Sequence, residues 1–243
     1  MSVLEIEKYD FQGGEVLLFD KELDWTSFDL VQRIRNQLCR YLKIKKLKVG
    51  HAGTLDPKAT GLMIVCTGKA TSRIEELQLG EKEYIATLKL GVTTPSFDLE
   101  TEEDIFYKTE HITEELIKKV LVSFTGEQLQ SPPLFSAVKI NGKRAYKHAR
   151  KGDDIELKER PVFIREIELL DFVGNEVIIR VVCGKGTYIR ALARDIGKAL
   201  NSGAYLIKLR RTCIGMSKIE DAMKIDSFLD KLRSSICVGS DNI

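Results

Sequence analysis

Two β-rich runs, Val162 to Val173 and Val177 to Cys183, are separated only by residues 174–176. Three residues close an antiparallel hairpin, whereas a parallel crossover needs a dozen or more. A doubly wound sheet built from regular strand–helix–strand units is therefore excluded here, and the rest of the chain agrees. Glu15 to Phe19 reads as a short strand, and Thr26 or Ser27 can cap a helix bearing Phe28, Val31, Ile34, Leu38 and Leu42 on one face. A basic stretch, Lys43 to Lys48, leads into a glycine-punctuated loop, His51 to Gly61, then a strand from Leu62 to Cys66 and a helix over Ala70 to Leu79. Tyr84, Ala86, Leu88 and Leu90 alternate as in a half-buried strand, and Thr113 can cap a helix with Leu116, Ile117, Val120 and Phe124 inward. Beyond Pro132 and Pro133, a strand to Ile140, a basic helix near Lys143 to Arg150, a helix capped by Thr187 and a strand from Ala204 to Cys213 complete the reading. The expected fold class is α+β, with a mixed, largely antiparallel central sheet flanked by helices.

With 243 residues, 43% of them hydrophobic, the chain can bury a full core. No apolar run approaches the roughly 20 residues that span a bilayer, and Met1 to Asp10 lacks a basic leader followed by an apolar stretch, so a cytoplasmic protein is expected. The five cysteines are scattered without a C-x-x-C pair and only three histidines accompany them, which argues against disulfides and a metal site. A net charge of +2 says little, but its distribution says more. Lys139, Lys143, Arg144, Lys147, Arg150 and Lys151 fall in one run without an acid, while Asp98, Glu100, Glu102, Glu103 and Asp104 crowd another.

Gly184-Lys185-Gly186-Thr187 resembles a nucleotide loop only superficially. A Walker loop requires glycine where this chain has Ile179 and Ser or Thr where it has Gly186, and the dinucleotide pattern fails at Ile189. A zinc deaminase is excluded by the missing H-x-E and P-C-x-x-C elements. The segment from Gly50 to Gly61 is richer than an ordinary turn, since its glycines flank one carboxylate, Asp56, and one imidazole, His51. Pro57 biases Asp56 away from the helical region and would present its carboxylate from a rigid loop. On these residues alone, a structural Asp-Pro turn is the rival reading.

This segment resembles the catalytic motif H-x-G-x-L-D-P-x-A-x-G of the TruB family of pseudouridine synthases and matches it at every fixed position. Asp20-Lys21 through Thr26-Ser27, Lys82-Glu83-Tyr84, Pro132 through Gly152, Cys183 through Gly197 and Leu209 through Gly215 resemble further family blocks in the family's order. Glu22 stands where proline is usual and Asp24 where glycine is usual, which bears on the shape of the first loop. The resemblance implies conversion of uridine 55 in the T loop of tRNA to pseudouridine, without metal or organic cofactor. It implies Asp56 as nucleophile, Arg190 as its ion-pair partner and Tyr84 as the platform for a flipped base. His51 is expected to pack against the flipped nucleotide, Lys21 to contact phosphate or position the Asp56 loop, and Lys185 to hold backbone near Arg190. Lys139, Lys143, Arg144, Lys147 and Arg150 become an expected RNA-facing surface.

Residues 1–216 are expected to form the catalytic domain of a monomer. Residues 217–243 are then a short helical tail, with Ile225, Phe228, Leu229 and Leu232 at helical spacing, in place of a full C-terminal RNA-binding domain. The alternative is a tRNA-binding chaperone without catalysis, which has no need of Asp56, Tyr84 and Arg190 together.

Overall fold

The first alternating run is a strand, β1 (Val16–Lys21), whose inward residues are Leu17, Phe19 and, at its end, Lys21. The structure, a computed structural model, describes residues 6–136, 139–140, 143–145 and 157–238. It divides into two units, one of Met1–Gly80 with Arg210–Ile243 and one of Glu81–Leu209.

In the first unit, Thr26 caps α1 (Ser27–Tyr41) through a reciprocal box: its hydroxyl accepts from the Asp29 amide, and the Asp29 carboxylate accepts from the Thr26 amide. The buried face is Ser27, Leu30, Val31, Ile34 and Leu38. Phe28, expected inward, is 60% exposed because at about 100° per residue it points to the flank of that stripe. After β2 (Val49–His51) comes β3 (Ala59–Thr67), which is antiparallel to both β1 and β2, with Leu17 opposite Val65 and His51 also opposite Val65. The helix expected over Ala70 to Leu79 is a 3₁₀ segment, Gly68–Arg73, followed by a single α turn, α2 (Ile74–Leu77). Its hydroxyls explain the tightening: Thr71 and Ser72 donate to the carbonyls of Gly68 and Lys69, competing with the α ladder.

The second unit starts with β4 (Lys82–Leu90), followed by α3 (Glu114–Ser123), β5 (Gly126–Gln130) and a two-residue hairpin, β6 (Lys139–Ile140) with β7 (Lys143–Arg144). Lys143 and Arg144 are thus strand where a helix was expected. Ala145 is the first helical residue, and 146–156 lie outside the described residues. The two β-rich runs joined by a short turn form a hairpin, β8 (Arg160–Val173) and β9 (Glu176–Cys183). Strands β4, β9, β8 and β5 lie side by side and antiparallel, with Tyr84 opposite Val181 and Val181 opposite Ile167. One face carries Tyr84, Ala86, Leu88, Ile179 and Val181, all buried. On the other, Arg180 donates to Glu83, Glu166 and Glu168. Helices α3 and α4 (Ile189–Ala199) pack on β8 and β4 respectively. Thr187 is not the cap of α4: its hydroxyl turns back to the Gly184 carbonyl, and the Gln130 amide brackets Tyr188 by accepting from its N–H and donating to its C=O.

Strand β10 (Ala204–Ile214) carries the chain from the second unit back into the first. It is followed by β11 (Ser217–Lys218), β12 (Met223–Lys224) and α5 (Ile225–Val238). β12 lies parallel to β1, Phe19 opposite Met223, while the other pairs described above are antiparallel, so strand pairing is mixed but largely antiparallel, in an α+β fold. Ile225, Phe228, Leu229 and Leu232 are all buried, and Phe228 meets Phe19 and Phe11 edge-on at 5.2 and 6.3 Å between ring centres. No helix among the described residues is long and apolar enough to cross a membrane.

Candidate functional site

In the first unit, the segment around Asp56 has no regular secondary structure, yet its carbonyls are all engaged. From Gly53 to Pro57 every carbonyl accepts a hydrogen bond: Gly53 and Thr54 from Arg211, Leu55 from the Ser27 hydroxyl, Asp56 from the Ala59 amide and Pro57 from the Asp24 amide. The Leu55 amide in turn donates to Ser27 Oγ at 2.8 Å. Irregular backbone with its polar groups satisfied this way is held in one shape. Asp56 is thereby presented from a fixed loop, as the Asp-Pro sequence suggested.

Lys21 ends β1 beneath this loop and is only 1% exposed. Its ammonium donates to the carbonyls of Trp25 at 2.7 Å, Glu22 at 2.9 Å and Pro57 at 3.5 Å. Burial pulls its pKa down to about 8, and the negative charge of Asp56 is the strongest influence in the opposite direction. Lys21 and Asp56 are thus electrostatic neighbours, and the Lys21 ammonium is turned inward onto the carbonyls of Glu22, Trp25 and Pro57. Asp24, where the resemblance led to an expectation of glycine, adopts φ of 64° and pairs with Lys58 at 2.7 Å. His51 closes β2 opposite Val65. Burial lowers its pKa below the ordinary value, and its Nδ1 is buried without a hydrogen-bond partner among the described residues.

In the second unit, Tyr84 lies on the inward face of β4 and is 9% exposed. Arg190, in the first turn of α4, is buried with Asp98 at 3.4 Å and donates to the carbonyls of Phe135 at 3.0 Å and Ser96 at 3.4 Å. The nearby acid Asp195 is taken instead by Arg194, at 2.7 Å. Lys185 is exposed in the turn before α4. The side chains of Lys139, Lys143 and Arg144, and Lys147 and Arg150 altogether, lie outside the described residues. Among the described residues no group of three or more His, Cys, Asp or Glu could hold a metal ion.

Three participants were invisible as such in the sequence: Ser27, Asp98 and Arg211. Ser27 looked like a cap, and Asp98 like one acid among several. Arg211 sits beside Arg210, which is partly exposed and paired with Asp20 at 2.8 Å. Adjacent strand residues face opposite ways, so one of two neighbouring arginines had to point inward, but nothing in their spacing says which.

A family model described as "TruB family pseudouridylate synthase (N terminal domain)" matches residues 40–189. The chain is 63% identical over 219 residues to a tRNA pseudouridine synthase B of Phocaeicola vulgatus, covering 90% of this chain and 93% of that one. It is 62% identical over 225 residues to a protein of the same name from Parabacteroides distasonis, covering 91% and 96%. Among solved structures it is similar to a chain of a Cbf5-Nop10-Gar1 complex, with a TM-score of 0.67 and 31% identity over 92% of this chain and 57% of that chain. A chain of an H/ACA ribonucleoprotein bound to a substrate RNA containing 2'-deoxyuridine is similar with a TM-score of 0.66 and 29% identity, over 93% and 56%. The motif around Asp56, the loop that presents it and these likenesses agree, and the chain belongs to the TruB family of pseudouridylate synthases.

Proposed function

We propose that this protein isomerises uridine 55 in the T loop of tRNA to pseudouridine, with Asp56 as nucleophile. The observation that carries this reading is the Asp56 loop itself, with the complete motif and all its carbonyls engaged from Gly53 to Pro57. The substrate class is supported by the name shared by relatives that match along 93% and 96% of their length.

The reaction breaks the bond from C1′ to N1, turns the base and joins C1′ to C5. A carboxylate is competent for such glycosyl chemistry without a metal. The charge of Asp56 favours the protonated form of the buried Lys21 ammonium close by. Arg190 is the proposed ion-pair partner of Asp56, and Tyr84 the ring on which the flipped base stacks, which returns about 1–3 kcal/mol of the few kcal/mol that unstacking costs. His51, whose burial favours the neutral imidazole, packs against the displaced nucleotide. Lys139, Lys143, Arg144, Lys147 and Arg150 offer phosphate contacts and Lys185 a further backbone contact. The partner is the T arm of tRNA, and the protein acts as a monomer.

The test is a T-arm RNA incubated with the protein and mapped with a reagent that marks pseudouridine, since substrate and product have the same mass. Asp56→Asn keeps shape and hydrogen bonding but removes the charge. It is expected to lose turnover while binding tRNA almost as tightly as wild type. Turnover above a trace in that variant would remove Asp56 from the role.

A further inference from the structure

Arg211 is among the largest side chains wholly buried in the described structure, at 1% exposure. Burying a guanidinium is costly unless its donors are satisfied, and an apolar side chain of similar volume would ordinarily serve packing better. No carboxylate lies within ion-pair distance of it among the described residues. All its hydrogen bonds go instead to neutral acceptors of the loop and of the strand that follows: Nε to the Leu62 carbonyl at 2.8 Å, Nη2 to Gly53 at 3.1 Å and to Met63 Sδ at 3.3 Å, and Nη1 to Thr54 at 3.5 Å. One planar fork therefore ties the start of the Asp56 loop to the strand at its end.

Two motif glycines fit this arrangement. Gly61 has φ of 107°, and a β-carbon there would stand 2.3 Å from the Arg211 carbonyl oxygen and 2.7 Å from its amide nitrogen. Gly53 has φ of 105°, and the atom that a β-carbon there would meet is Arg211 Nη1, at 3.5 Å. The loop is thus open to Arg211 at both ends, backbone against Gly61 and guanidinium against Gly53.

We infer that Arg211 is a positioning residue for the isomerisation, its guanidinium fixing the carbonyls of Gly53 and Thr54 so that the Asp56 carboxylate is held where it attacks. This rests on the reading of Asp56 as nucleophile. Misplacing a reacting group by about an ångström can cost on the order of a hundredfold in rate, so the effect belongs in the chemical step rather than in RNA binding.

Arg211→Met keeps the volume and removes every donor; Arg211→Lys keeps the charge and one donor group but loses the fork. Single-turnover rates on a T-arm RNA at saturating protein separate chemistry from affinity. The Met variant, folded by circular dichroism and thermal melting, is expected to lose about a hundredfold in the saturating rate while its half-saturating concentration stays within threefold. The Lys variant is expected to fall between it and wild type. A folded Met variant within threefold of the wild-type rate overturns the inference. Where Met does not fold, Lys decides, and a Lys variant at the wild-type rate overturns it equally. Asp56→Asn is measured alongside: if it turns over like wild type, the nucleophile assignment fails and takes Arg211 with it. An inactive Asp56→Asn beside a fully active Arg211→Met refutes Arg211 alone.

Discussion

Lys21 shows how one residue can be a cost in one state and a structural centre in another. Its ammonium fills a space bounded by three carbonyls, yet burial lowers its pKa from 10.5 to about 8. Between those two pH values the unfolded chain holds a proton that the folded protein has released, so unfolding takes one up and this site's contribution to stability rises with pH across that window. Below pH 8 the contribution is at its lowest. Lys21→Met should abolish the rise, and urea titrations from pH 7 to 11 should show the wild-type midpoint gaining on that of the variant above pH 8; a constant difference between them would refute the shift. Asp24 poses the complementary case of a residue in the left-handed region, which aspartate tolerates better than most. Asp24→Gly relieves the backbone but adds unfolded-state entropy and loses an exposed ion pair, so it should change stability by no more than about 1 kcal/mol. Asp24→Val, β-branched at the same φ, should lose about 1–2 kcal/mol or more by the same urea assay.

At the level of elements, polar side chains rather than propensity decide where helices begin and how tightly they wind. Thr26 and Asp29 start α1 reciprocally, Gln130 of β5 receives the first turn of α4, and two hydroxyls pull the segment after β3 into a 3₁₀ form. Gly197 illustrates a helix residue chosen for a neighbour. In α4 an alanine would gain roughly 1 kcal/mol of helix propensity. Here its β-carbon would stand 2.4 Å from the Ala204 amide nitrogen, where the chain enters β10. Gly197→Ala is therefore expected to destabilise, by about 1–3 kcal/mol through overpacking, despite the better propensity. Thermal melting decides the sign, and a variant more stable than wild type would refute the close approach.

For the whole molecule, the chain matches the tRNA pseudouridine synthase B of P. vulgatus along 93% of that protein's length. If recognition is confined to flipped T-loop bases and the phosphates of one stem, an isolated T-arm stem-loop should be modified nearly as efficiently as whole tRNA. Comparing kcat/KM for the two RNAs at one salt concentration tests this, because phosphate contacts make both values salt-dependent. A preference of a hundredfold or more for whole tRNA would place the dominant contacts outside the T arm.

Much of this protein is legible without coordinates. The short gap, residues 174–176, between the two β-rich runs dictated an antiparallel pair, period-two alternation located β4, β-rich composition located β9 and β10, and the spacing of Ile225, Phe228, Leu229 and Leu232 announced α5. The rigid turn around Asp56 was legible because its glycines and the Asp-Pro step stand in consecutive residues, while the role proposed for Asp56 comes from the family resemblance. What holds that loop was not legible. Ser27 is 28 positions from Leu55, and Arg211 is 158 from Gly53, so neither hydrogen bond leaves a periodic or neighbouring trace in the sequence. The same holds for Asp98 and Arg190, for Gln130 at the start of α4, and for the choice of Arg211 over Arg210 to point inward. Sequence alone placed most strands and helices, because those follow from local sterics and the period of burial, but not the 3₁₀ winding after β3 or the strand at Lys143–Arg144. Which polar side chain meets which carbonyl is decided only when distant segments pack, since a buried donor takes whatever acceptor the tertiary fold brings within about 3 Å.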